Sequence, residues 1–126
     1  MDELKLFTVK EANQTLPLVK RIVADVLSTG DRIRSLSAQI GTNAESNPQI
    51  IQWMNQLEEL FEELESLGCS YKDWNFTVGL VDFPAVIDGQ EVFLCWRSDE
   101  EALKYYHEID AGFAGRKLIP KKELSA

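Results

Sequence analysis

From Leu16 onward the apolar residues fall at Val19, Ile22, Val23, Val26, Leu27, Ile33, Leu36 and Ile40, with the spacing of one helical face. A second run, Ile50, Trp53, Met54, Leu57, Leu60, Phe61, Leu64 and Leu67, repeats that period. Asn47-Pro48 before it reads as a cap followed by a first-turn proline, and Gly68 after it as a left-handed stop. Upstream, Thr8-Val9-Lys10-Glu11 fits a capping box that opens a short helix to about Gln14. Thr15-Leu16-Pro17 then predicts a second start, with a single helix kinked at Pro17 as the alternative. Gly30 interrupts the long run without ending it. The polar stretch from Gly41 to Asn47 joins the two long helices, which are expected to pack antiparallel. About 25 residues at ~1.5 Å each give the longer one a span of roughly 37 Å.

After Gly68 the period changes to two. "FTVGLVDFPAVIDGQEVFLCWR" predicts two strands around the turn pair Asp88-Gly89. With Ile87 opposite Gln90, Ala85 pairs with Val92, Phe83 with Leu94 and Val81 with Trp96. This face is apolar and is expected to lie on the helices. The other face pairs Val86 with Glu91, Pro84 with Phe93, Asp82 with Cys95 and Leu80 with Arg97, which makes Asp82 and Arg97 diagonal neighbours. Pro84 lacks the N–H that a ladder needs, so its strand is expected at an edge or at a bulge. Ser98-Asp99-Glu100-Glu101 fits a second capping box, and Tyr105-Tyr106 suits a strand. The expectation there is a short turn or helix, then a strand-like segment.

The predicted class is therefore α+β. A long antiparallel helical hairpin with a short N-terminal helix packs on a small antiparallel sheet, made of a hairpin at 76–97 and a C-terminal segment. Residues 1–120 form one domain, and 121–126 a frayed tail.

Composition narrows the function. The 126 residues are 44% hydrophobic and carry a net charge of −8, from 21 acidic and 13 basic side chains. That balance argues against nucleic acid and against an anionic membrane surface. No apolar run is long enough to span a bilayer, and the charged start lacks the apolar stretch of a secretion signal. Cys69 and Cys95 lack a metal-type spacing and are expected to be free thiols in a cytoplasmic protein. The glutamates Glu58, Glu59, Glu62, Glu63 and Glu65 lie between the leucines of the second helix and are expected to face water rather than hold a metal. Two helices with this much apolar surface imply self-association, most simply a homodimer.

The chemistry concentrates in "YYHEIDAGFAGR", residues 105–116, which holds the only histidine. Together with the hairpin it offers a candidate polar pocket of Asp82, Arg97, His107, Asp110 and Arg116, with Cys95, Glu108, Gly112 and Gly115 as secondary candidates. Arg97 and Arg116 would grip an anionic group, Asp82 and Asp110 would orient them, and His107 would tune the site with pH. One histidine is too few for the familiar zinc spacings, so no metal and no cofactor are assigned. Cys95 between Leu94 and Trp96 reads as a small buried hydrophobe rather than a nucleophile. The competing reading is structural. There the arginines pair with Asp82, Glu108 or Asp110, and His107 is a satisfied core histidine.

"FTVKEANQTLPLV", "GLVDFPAVIDGQEVFLCWR" and "YYHEIDAGFAGR" together resemble a bacterial and cyanobacterial family catalogued as domain of unknown function family 2203. Similar sequences often have tryptophan where this one has Tyr106. The resemblance implies one self-contained cytoplasmic domain and no established activity. The function expected is a non-catalytic binding or interaction module, dimeric through its helices, whose polar pocket takes a small anionic ligand, or which engages a protein partner. One alternative is an enzyme using metal-assisted or His/carboxylate chemistry at that pocket. Another is a pure helical scaffold.

Overall fold

The computed structural model describes residues 5–72 and 78–124. Helix α1 runs unbroken from Val9 to Ile40, opened by the expected capping box. The Thr8 hydroxyl accepts from the Glu11 N–H and the Glu11 carboxylate accepts from the Thr8 N–H, both at 3.0 Å. The separate short helix expected before Pro17 does not exist, since Pro17 lies inside α1. Its local cost is outweighed because the buried stripe Val9, Ala12, Leu16, Val19, Ile22, Val23 and Val26 continues through it on one face. Two side chains serve carbonyls in these turns: Asn13 Nδ2 donates to Val9 O and Thr15 Oγ1 to Glu11 O. At 32 residues α1 is longer than expected, roughly 48 Å at ~1.5 Å per residue.

Helix α2, Pro48–Leu67, has the predicted ends. Asn47 accepts from the N–H groups of Gln49 and Ile50, and Gly68 takes the left-handed conformation at φ 98°. Ile50, Leu57 and Leu64 are its buried residues, and the five glutamates are exposed.

Among the described residues the sheet has five strands in chain order, all antiparallel: β1 Ser70–Tyr71, β2 Leu80–Ile87, β3 Gln90–Arg97, β4 Tyr105–Glu108 and β5 Lys117–Leu118. The β2–β3 register agrees with the predicted one at every pair from Leu80↔Arg97 to Ile87↔Gln90. Asp88 and Gly89 both have positive φ, 53° and 77°, as a twist-matched two-residue hairpin turn needs. Residues 76 and 77 of the predicted hairpin lie outside the described residues. Pro84 sits past the end of the two-residue β1. There the neighbour is the N-terminal segment, whose Phe7 N–H donates to Pro84 O at 2.7 Å.

Val81, Phe83, Ala85, Ile87, Val92, Leu94 and Trp96 project from one face into a single core with α1, Leu57 and Leu64. Residues 98–102 are turns and bends rather than a helix. Asn13 Oδ1 accepts from Leu103 N–H and Lys20 Nζ donates to Glu101 O, which ties this segment to α1. Within the stretch expected as a tail, four residues are helical. Lys121–Leu124 form helix α3, and Lys122 pairs with Asp88 of the hairpin turn. No helix among the described residues is long and apolar enough to cross a membrane.

Candidate functional site

The site lies on the face of the sheet away from the helices. Strand alternation sends Asp82 of β2 and Cys95 of β3 to that face, where they are register partners. The β3–β4 register pairs Phe93 with His107, so the imidazole stands diagonal to Cys95 and two strands from Asp82. The three donor atoms, a carboxylate oxygen, the Cys95 sulfur and a ring nitrogen, lie within 4.8 Å of one another. Asp82 and His107 are 4% exposed and Cys95 1%.

The hydrogen bonds assign the imidazole. Nδ1 lies 2.8 Å from the backbone oxygen of Glu108. A carbonyl can only accept, so Nδ1 carries a hydrogen. Nε2 points between both oxygens of Asp82, 3.2 Å from each. A neutral ring with its hydrogen on Nδ1 would aim a lone pair at an ionised carboxylate. A proton therefore has to lie between Nε2 and Asp82. Burial pushes the Asp82 carboxyl above its ordinary range, against the pull of His107 and of Lys72. Burial, with Asp82 beside it, pushes the Cys95 thiol up to about 12. The cysteine is thus a neutral thiol within hydrogen-bonding reach of Asp82 and no ready nucleophile.

The two arginines go elsewhere. Arg116 Nη2 donates to Glu100 Oε1 at 2.6 Å and to the backbone oxygen of Cys95 at 2.9 Å, and its guanidinium stacks 4.1 Å from the centre of the Tyr105 ring. Burial works against its charge, and the Glu100 contact outweighs that and raises its pKa. Arg97 pairs with Asp99 at 2.6 Å, not with its diagonal neighbour Asp82, because Asp99 follows it within the same tight turn. Phe113 lies under both guanidiniums. Glu108 pairs with Lys117. Asp110 is exposed, unlike the buried Asp82 and His107. Gly112 has φ 66°, and a Cβ on Gly115 would come within 2.7 Å of the Ala111 Cβ, so both glycines shape the turn.

Of the five pocket residues read from the sequence, the fold joins Asp82 to His107 and adds Cys95. The arginines form a second cluster around Glu100 and Asp99. The residue that sequence reasoning missed is Glu100. Its carboxylate accepts from the Arg97 N–H and from Arg116, while its backbone oxygen accepts from Trp96 Nε1. The signal was its place three residues after Arg97, which suits a tight turn as well as a capping box.

A family profile described as "Uncharacterized conserved protein (DUF2203)" matches residues 5–119, so the chain belongs to that family. No curated protein and no solved structure matches it.

Proposed function

We propose that this chain is a non-catalytic binding module that works as a dimer joined through the tip of its helical hairpin. The observation that carries the non-catalytic part is the burial of Asp82, Cys95 and His107. Acid–base work on a substrate needs His107 and its carboxylate to reach that substrate, and both are covered from solvent. A pure scaffold fits less well, because Asp110 and Phe113 of the same stretch are exposed.

The dimer reading rests on the hairpin tip. Buried positions on α1 stop at Gly30 and those on α2 start at Ile50. Ile40 beyond them, and Ile51 and Met54 between the buried Ile50 and Leu57 of α2, are 37%, 44% and 52% exposed. Between residues 31 and 56, Asp31 and Glu45 offset Arg32 and Arg34, so the tip has no net charge in a chain of −8. A second copy of an acidic protein is best met at its neutral, apolar part. Sedimentation equilibrium is expected to give a dimer, and Met54→Glu with Ile51→Glu a folded monomer. A monomeric unsubstituted chain at about 100 μM would sink this reading, since that concentration suffices for even a weak specific dimer.

For an anionic ligand the supporting feature is Arg97, the more open of the two arginines, seated beside Phe113. Such a ligand would displace Asp99 from Arg97 and leave the Arg116–Glu100 pair in place. Titration with inorganic phosphate should show weak binding that Arg97→Ala removes. Equal binding by both proteins rules the site out.

A further inference from the structure

We propose that Asp82, Cys95 and His107 form a binding site for a divalent transition-metal ion of the zinc type, which joins β2, β3 and β4. This inference is independent of the dimer and of the anion site.

The donor set argues for it first. One nitrogen, one thiol and one carboxylate converge from three adjacent strands, all shielded from water. Sulfur and imidazole select borderline ions such as zinc or cobalt(II), whereas magnesium and calcium need oxygen shells.

The histidine argues for it second. Its Nδ1–H is fixed on the Glu108 carbonyl, which turns the Nε2 lone pair toward Asp82 and Cys95. That is how metal-bound histidines are held, with the far N–H given to a carbonyl or carboxylate. Without a cation, the same orientation demands a proton between two buried groups.

Spacing is the third point. Metal–nitrogen and metal–oxygen bonds of ~2.05 and ~2.0 Å at a tetrahedral angle put N and O roughly 3.3 Å apart. Nε2 lies 3.2 Å from each Asp82 oxygen, and the Cys95 sulfur, within 4.8 Å of the other two donor atoms, would close to roughly 3.6 Å about an ion with a metal–sulfur bond of ~2.3 Å.

Protons balance when such an ion binds. The ion-free cluster holds a proton shared by His107 and Asp82 and a second on the Cys95 sulfur. A dication that takes Nε2, a carboxylate oxygen and a thiolate displaces both protons and leaves the net charge of the buried site unchanged. Binding therefore releases two protons and needs no oxidant or reductant. The surrounding charges, Lys72 near Asp82 and the Arg116–Glu100 pair near Cys95, remain as they are.

The test is titration of chelator-stripped protein with cobalt(II) alone. One ion per chain is expected, with a thiolate-to-cobalt charge-transfer band that zinc(II) abolishes by competition and excess magnesium does not. Cys95→Ser should lose the band, Cys69→Ser should keep it, and Asp82→Asn should weaken uptake roughly tenfold or more. No uptake by the unsubstituted chain overturns the proposal, and so does a band that survives Cys95→Ser. Should the variants fail to fold, X-ray absorption on the zinc-loaded unsubstituted chain decides the matter. A shell with one sulfur and one imidazole is expected, and an all-oxygen shell overturns it.

Discussion

On the inner face of the sheet, Val81, Phe83 and Leu94 are wholly buried; on the outer face, Cys95 at 1% and Asp82 and His107 at 4% are almost as deep. The inner residues hold by volume. They fill space in one core shared with residues of α1, and none depends on a single polar partner. The outer residues hold by pairing, since each carries a polar atom that burial would penalise if it stood alone. Equal burial therefore predicts different responses to substitution. The inner face should tolerate exchanges that keep volume, and the outer face should tolerate exchanges only in complementary sets.

The largest effect should come from the inner face. Leu94→Ala removes a wholly buried core side chain opposite Phe83 and is expected to cost about 4 kcal/mol in urea unfolding. Leu94→Met should cost less than about 1.5 kcal/mol. Similar costs for the two would remove volume as the controlling quantity.

The outer face should give the next effect and a contrasting pattern. Asp82→Ala strands the His107 ring and is expected to cost about 3 kcal/mol in chelator-treated protein. Asp82→Leu combined with His107→Leu should recover most of that loss. A double variant as damaged as the sum of its singles would show that the pair does not act as a unit.

A smaller, pH-dependent effect separates the thiols. Burial alone leads the rise of Cys69 to about 12, whereas Asp82 adds to it at Cys95. A pKa above the unfolded value of 9.0 means that the contribution of Cys69 is complete below that value and is lost as pH climbs toward 12. Unfolding midpoints at about pH 8 and about pH 10.5 should therefore diverge less in Cys69→Ala than in the unsubstituted chain. Equal divergence would mean that the Cys69 thiol does not feel its burial.

What could be read from the sequence followed from how local each signal is. The β2–β3 register was legible because Asp88-Gly89 and a period of two fix it within a few residues. The continuity of α1 was not. The cost of Pro17 is visible locally, but the burial that overrides it comes from α1 residues on either side of the proline that share one core with the sheet. At the site, the residue types of Asp82, Cys95 and His107 stood out, while their grouping depended on the β3–β4 register. That register is set by the turn at 98–102, whose residues fit a helix cap equally well. The carboxylates that meet Arg97 and Arg116 were hidden for the same reason. Their partners Asp99 and Glu100 lie in that turn and face back only once it closes.

The chain order of the strands has a kinetic consequence. Each strand from β1 to β5 finds its neighbour by closing the next loop, so most of the sheet assembles through short-range encounters at small entropic cost. The contact from Phe7 to Pro84 is different, because it brings a segment distant in sequence to the open edge of β2 in an already formed sheet. Folding should run from the β2–β3 hairpin outward, with the Phe7 strap closing late. A substitution at Phe7 would then quicken unfolding and leave the folding rate nearly unchanged.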